Sequence, residues 1–190
     1  MRKLVYALQM SLDGFMAGPD GELDWHIVDE QLHRHFNEQE RVTEVALYGR
    51  KLYQLMSDYW PTADSDPALA DYAAEYAPIW RATQKVVFSR TLERVEWNSR
   101  LVRTDAAAEV ARLKVEGDGL MTVGGAELGS SMLAAGLVDE VGVYLQPVAI
   151  GAGKPMFRPE AAGVKLTLVD SLAFDSGVVR LRYRTAPDLP

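Results

Sequence analysis

Apolar and polar positions change their period several times along the chain, and each change marks an element. Lys3–Gln9 is apolar enough for a buried strand. Met10–Gly21 carries glycines, Pro19 and aspartates and reads as a loop, one whose apolar residues pack. Within Asp29–Thr43, Val28, Leu32, Phe36 and Val42 recur at near-helical spacing, with Asp29 and Glu30 suited to a first turn. Val45–Tyr48 is a short buried strand, and Arg50–Asp58 a helix after Gly49. Asp66 and Pro67 predict the start of a helix carrying Leu69, Tyr72, Ala73, Tyr76 and Trp80, kinked or ended by Pro78. Lys85–Phe88 and Leu120–Val123 predict strands, and Ala106–Val115 and the segment of Leu128, Met132, Leu133 and Leu137 predict helices.

After Gly136 the rhythm changes. Val138–Val148, Val164–Val169 and Val178–Tyr183 are strand-like with no helix between them, and Asp175-Ser176-Gly177 reads as a hairpin turn. Alternating strands and helices followed by consecutive strands predict an α/β fold, with a mostly parallel central sheet finished by a C-terminal antiparallel hairpin. We expect a single domain over 1–186 and a short tail over 187–190.

Composition sets bounds on function. The 190 residues suffice for one real core. A formal charge of -7 argues against nucleic acid as a partner, though not against a small phosphorylated ligand held by a local basic cluster. The chain has no cysteine, which excludes a thiol nucleophile and Cys-based metal sites. His33 and His35, two apart, point in different directions on a helix and cannot share a metal. No apolar run is long enough to span a bilayer, and the expectation is a cytoplasmic protein with no membrane partner.

Candidate chemistry gathers at three strand ends. Val45–Tyr48 runs into Gly49-Arg50-Lys51, Lys85–Phe88 into Ser89-Arg90, and Leu120–Val123 into Gly124-Gly125. In a parallel sheet these ends share one edge, where open α/β sheets bind ligands. Glycine backbone, a helix N-terminus, a hydroxyl and three cations are the parts a phosphorylated dinucleotide needs. The fingerprint G-x-G-x-x-G is absent from Gly124–Gly129, and Pro155 spoils a P-loop at Gly153-Lys154.

The order of these segments resembles the dihydrofolate reductase-like superfamily, and more closely the reductase domain at the C-terminus of the bifunctional riboflavin-biosynthesis deaminase-reductase. The segments that carry the likeness are Ser11-Leu12-Asp13-Gly14, Gly21–Trp25, Leu47–Tyr53, Val86–Arg90, Val123–Leu128 and Gly136–Glu140, with Pro147, Gly151, Gly153 and Phe157. The resemblance implies a three-layer α/β/α fold and an NADPH cofactor. It places Gly49, Arg50 and Lys51 at the pyrophosphate and 2′-phosphate. Ser89 and Arg90 fall on the adenosine side. Gly124 and Gly125, with the amides of Ala126, Glu127 and Leu128, cradle the pyrophosphate. It further implies a cis peptide between Gly124 and Gly125, and a homodimer pairing through C-terminal strands. The implied reaction is hydride transfer to a small heterocyclic or sugar-derived substrate, similar to 5-amino-6-(5-phosphoribosylamino)uracil reductase. The alternatives are a dihydrofolate reductase or a non-catalytic NADPH-binding protein. Asp13 is the first candidate to orient substrate or water, followed by Asp24 and Asp29, and Trp25 is a candidate wall of the substrate pocket. The carboxylate that follows Trp25 does not keep the spacing of a folate site, which points away from folate.

Overall fold

A computed structural model describes residues 1–185, so the expected tail lies outside the described residues. Eight strands form one sheet in the order β5-β4-β3-β6-β1-β7-β10-β9. From the first edge these are Ser99–Val102 (β5), Gln84–Phe88 (β4), Thr43–Gly49 (β3), Leu120–Gly124 (β6), Lys3–Ser11 (β1), Glu140–Gln146 (β7), Val179–Thr185 (β10) and Leu166–Ala173 (β9). All pairings from β5 to β7 are parallel. β10 runs antiparallel to both β7 and β9, as the expected terminal hairpin requires. A two-stranded ribbon pairs Phe15–Ala17 (β2), within the segment Met10–Gly21 read from sequence as a loop, with Lys154–Pro155 (β8).

The helices cover both faces. Glu30–Arg41 (α1), Arg50–Ser57 (α2), Asp71–Ala74 (α3) and Tyr76–Ala82 (α4) lie on one face, and Ala106–Val115 (α5) and Ala126–Ala134 (α6) on the other. The period-2 alternation of the strands decides this partition. Val45, Leu47, Val86, Met121 and Val123 point towards Val110, Leu113, Met132 and Leu133 of α5 and α6. Ala46, Tyr48 and Val87 point the opposite way, against Tyr53 of α2 and Tyr76 and Trp80 of α4. Tyr144 and Phe174 meet Leu32 and Phe36 of α1 on that same side.

Three local expectations need correction. The helix placed after Asp66 begins only at Asp71. Asp66 Oδ1 instead accepts from the Ala68 amide at 2.9 Å in a turn. The helical segment then breaks at Glu75 into α3 and α4, with Pro78 in the first turn of α4, where its missing N–H costs least. The segment Trp60–Ser65, which leads into the Asp66 turn and for which the apolar pattern gave no helix, winds into a 3-10 helix. The short strand β5 has no counterpart in the apolar pattern, because Ser99-Arg100-Leu101-Val102 is half polar and only four residues long.

Candidate functional site

Adjacent strands β3 and β6, with Tyr48 opposite Gly124, send their chains in opposite directions. From β3 the chain enters α2 on one face and leads to β4. From β6 it enters α6 on the other face and leads to β7. A crevice opens between such diverging connections, at the carboxyl end of the sheet.

Both helices start on a glycine, and neither has a side-chain cap. Gly49 is the N-cap of α2 and Gly125 that of α6. The short helices α3 and α4 also lack a side-chain cap, whereas α1 and α5 are capped by carboxylates. Asp29 accepts from the Leu32 amide at 2.9 Å, and Asp105 from the amides of Ala107 and Ala108 at 2.9 and 3.2 Å. The first-turn amides of α2 and α6 are therefore left to an outside acceptor, with the positive ends of two helix dipoles behind them. Gly125 has φ +86, a left-handed conformation that side chains resist, and its Cβ position is open space. Gly124 serves packing instead, since a Cβ there would run into Leu52 of α2. The cis peptide expected between these glycines is corrected. Among the described residues there is none, and the turn is made by the positive φ of Gly125.

Cations gather at the same edge. Arg50 and Lys51 are exposed in the first turn of α2, and Arg90 is exposed after β4, whose Phe88 lies opposite Gly49. Arg103, which the sequence pattern did not single out, joins them from the end of β5. Its guanidinium donates to the carbonyls of Arg90 and Glu93 at 3.3 and 3.2 Å. Arg50 donates to the neutral amide of Gln54 at 3.2 Å. Many arginines elsewhere are tied to carboxylates, as in Arg2–Glu44, Arg81–Asp64 and Arg180–Asp170, all at 2.7 Å. Ser89 is partly committed, since its Oγ accepts from the amides of Thr91 and Leu92 at 3.2 and 3.0 Å and so shapes the turn that carries Arg90.

The sheet edge is stepped. β1 pairs with β6 only as far as Tyr6 opposite Val123, then continues beside β7 to Ser11 opposite Gln146. Four residues beyond the level of Gly124 make a wall about 13 Å high along the crevice. Asp13 stands at its top, just beyond the end of β1. Its carboxylate accepts from Ser11 Oγ at 2.6 Å, the Gly151 amide at 2.7 Å and the Ile150 amide at 3.2 Å. The Ser11 hydroxyl first, with the two amides, outweighs the opposing effect of burial and holds the carboxyl below its usual range. It is an anionic pin for the 148–153 loop. Asp29 is engaged as the cap of α1, and Asp24 is exposed.

Trp25 is half-buried, with Nε1 donating to the Glu22 carbonyl at 3.2 Å and its ring edge-on to His26 at 4.2 Å. Its loop is moored by Gln146, a second residue missed from sequence. The fully buried Gln146 accepts from the Ile27 amide at 2.9 Å and donates to the Ile27 carbonyl at 3.2 Å and to Gln9 Oε1 at 2.7 Å. A polar side chain inside the apolar run Val141–Val148 was the available signal. The crevice thus has uncapped helix N-termini and exposed cations at β6, β3 and β4, with the projecting end of β1 beside them.

Comparison with known proteins agrees with this architecture. The model of the RibD C-terminal domain matches residues 2–180. The chain is 33% identical over 183 residues to the uncharacterized protein YyaP of Bacillus subtilis, covering 96% of this chain and 94% of that one. A solved structure of a Shewanella sp. PV-4 protein named for riboflavin biosynthesis is similar with a TM-score of 0.74 at 19% identity, over 97% of this chain and 99% of that one. Dihydrofolate reductase of Enterococcus faecalis, solved with NADP(H), is similar with a TM-score of 0.66 at 13% identity, over 97% of each chain. With its stepped parallel sheet, two glycine-led helices and terminal hairpin, the chain has a dihydrofolate reductase-like fold and belongs to the RibD C-terminal domain family.

Proposed function

We propose that this protein is an NADPH-dependent reductase of a small heterocyclic or sugar-derived compound. The observation that carries the reading is the pair of uncapped, glycine-led helix N-termini, α2 and α6, flanking one crevice beside four cations. The amides of Ala126, Glu127 and Leu128 face outward at the start of α6 and suit a pyrophosphate. Arg50, Lys51, Arg90 and Arg103 suit the extra 2′-phosphate that separates NADPH from NADH. NADPH, when bound, supplies the hydride. The chain's own residues bind its phosphates, and the β1 wall and Trp25 loop shield the acceptor from water.

The proton is a separate matter. Asp13, held ionised and pinned to two amides, is a poor acid near neutrality, so its contribution is to fix the 148–153 loop. Asp24 remains the exposed carboxylate closest in sequence to Trp25. A panel of carbonyl, pteridine and aminopyrimidine acceptors, followed by NADPH absorbance, tests turnover. A second reading, an NADPH-binding protein without turnover, is favoured by the structural use of both Asp13 and Asp29. NADPH bound tightly but oxidised by none of the panel supports that reading.

The proposal includes a homodimer. β9 closes the sheet with one edge unpaired among the described residues, and it exposes Leu168, Val169 and Leu172. A long uncovered apolar edge strand is normally protected, and a second copy pairing through it supplies that protection.

A further inference from the structure

Tyr6 sits where the sheet steps. It is the last residue of β1 to pair with β6, opposite Val123, and its side chain enters the core on the α5 and α6 face. Its ring fills the space that a side chain on Gly129 of α6 would need. A Cβ on Gly129 would lie 2.1 Å from Tyr6 Cε2. Gly129 stands one helical turn after Gly125, and its amide donates to the Gly125 carbonyl at 2.9 Å, closing the first turn of α6. Glycine at 129 lets α6 settle directly on the ring. The seat of that uncapped N-terminus on the sheet is therefore set by Tyr6.

The same side chain holds a second segment. The Tyr6 hydroxyl donates to the Met156 carbonyl at 2.7 Å, and the Ser130 hydroxyl of α6 donates to that carbonyl at 3.3 Å. Ser130 Oγ also accepts from the Arg158 amide at 3.1 Å. Tyr6, Ser130 and Met156 are all fully buried. Burial chiefly, against the opposing pull of the Ser130 hydroxyl, holds the Tyr6 phenol above its usual range and keeps it a donor. Phe157, between these anchors, meets the Tyr6 ring edge-on with centroids 6.4 Å apart. Residues 150–158 thus form a strap moored along its length. Asp13 holds the Ile150 and Gly151 amides, Lys154–Pro155 pairs with Phe15–Ala17, and Tyr6 and α6 hold the far end. Opening that end strips a buried carbonyl of two donors at once.

We infer that Tyr6 is a positioning residue that joins the first turn of α6 to the 150–158 strap, so that a pyrophosphate seated on the α6 N-terminus tightens the strap. An anion on the α6 amides holds the helix in place, and a held helix keeps Gly129 on the Tyr6 ring and Ser130 on Met156. This rests on the cofactor reading above, and the experiment separates the two. Amide hydrogen exchange is followed by mass spectrometry with and without saturating NADPH, while tryptophan fluorescence measures NADPH binding in parallel. In the wild type, NADPH is expected to slow exchange over 126–130 and, by about fivefold, over 154–158. Tyr6→Phe/Ser130→Ala keeps an aromatic ring under Gly129 but takes both donors from Met156. Without NADPH its exchange over 154–158 is expected to be about tenfold faster than in the wild type. With NADPH it is expected to gain protection over 126–130 but none over 154–158. Tyr6→Phe and Ser130→Ala alone each leave one donor and are expected to fall between, and they carry the test if the double variant does not fold. NADPH bound without slower exchange over 154–158 in the wild type, or the same slowing in every folded variant, overturns the inference and leaves the cofactor reading standing. Absence of NADPH binding overturns the cofactor reading and this inference with it.

Discussion

Gly125 concentrates the account at the scale of one residue. Its φ of +86 costs a side-chain-bearing residue about 1–2 kcal/mol even though its Cβ would meet nothing. Gly125→Ala is therefore expected to lower the unfolding free energy by that amount and to weaken NADPH, and urea unfolding alongside cofactor titration checks both. Arg90 offers an exposed charge, and Arg103 adds a second while donating to the Arg90 and Glu93 carbonyls. Arg90→Ala with Arg103→Ala is expected to lower NADPH affinity by about tenfold to a hundredfold and leave NADH nearly unchanged, measured by titrating each. Asp13 was legible in sequence as a special residue but not as a pin, because its partners Ile150 and Gly151 lie far along the chain. Asp13→Ala is expected to speed amide exchange over 148–153 and to lower kcat with little change in NADPH affinity. Unchanged exchange there would contradict the pinning role. Gly124 and Gly125 were legible because two glycines after an apolar run signal a strand-to-helix turn. The way they make that turn, through the positive φ of Gly125, was not.

Among elements, those with strong periodicity were readable from sequence. Ala106–Val115 forms α5 over the predicted residues, and the strand ends at Gly49, Phe88 and Gly124 fall within a residue of expectation. β5 was not, because its order comes from pairing with β4 rather than from its own pattern, and Arg103 was lost with it. The terminus of α4 was hidden for a different reason. Lys85 was read only as the first residue of a strand, and it is fully buried. Its ammonium donates to the carbonyls of Trp80 and Thr83 at 2.5 and 2.7 Å and lies 4.2 Å from the Trp80 ring centre. It closes the C-terminus of α4 from the neighbouring strand. Lys85→Met leaves those carbonyls without a donor and is expected to cost about 2–3 kcal/mol, without moving NADPH affinity, since Lys85 sits at the far edge of the sheet. Burial lowers its ammonium from 10.5 to about 8, against the opposing pull of Glu40. Between those values the unfolded chain holds the proton more tightly than the folded one, so this group's contribution to stability rises with pH across that window. The stability difference between wild type and Lys85→Met, followed by denaturation from pH 8 to 10, is expected to grow. A flat or falling difference contradicts the assignment.

The whole molecule places its charge unevenly. A chain with net charge -7 keeps four exposed cations at one corner of its sheet. That distribution was half legible. The cations could be assigned from strand ends, but the face of the Trp25 loop depends on Gln146, fixed only by the register of β1 and β7. The uncovered β9 edge belongs to this scale as well. Leu168→Lys with Leu172→Lys is expected to convert a dimer to a 21.0 kDa monomer in sedimentation velocity. A wild type that sediments as a monomer contradicts the pairing. No described helix is long and apolar enough to cross a membrane. The central claim, that the diverging α2 and α6 N-termini and their cations form an NADPH site, is tested most directly by titrating the protein with NADPH and NADH while following tryptophan fluorescence. The account predicts saturable binding of NADPH at least about tenfold tighter than NADH. Equal affinities, or no binding of NADPH, would contradict it.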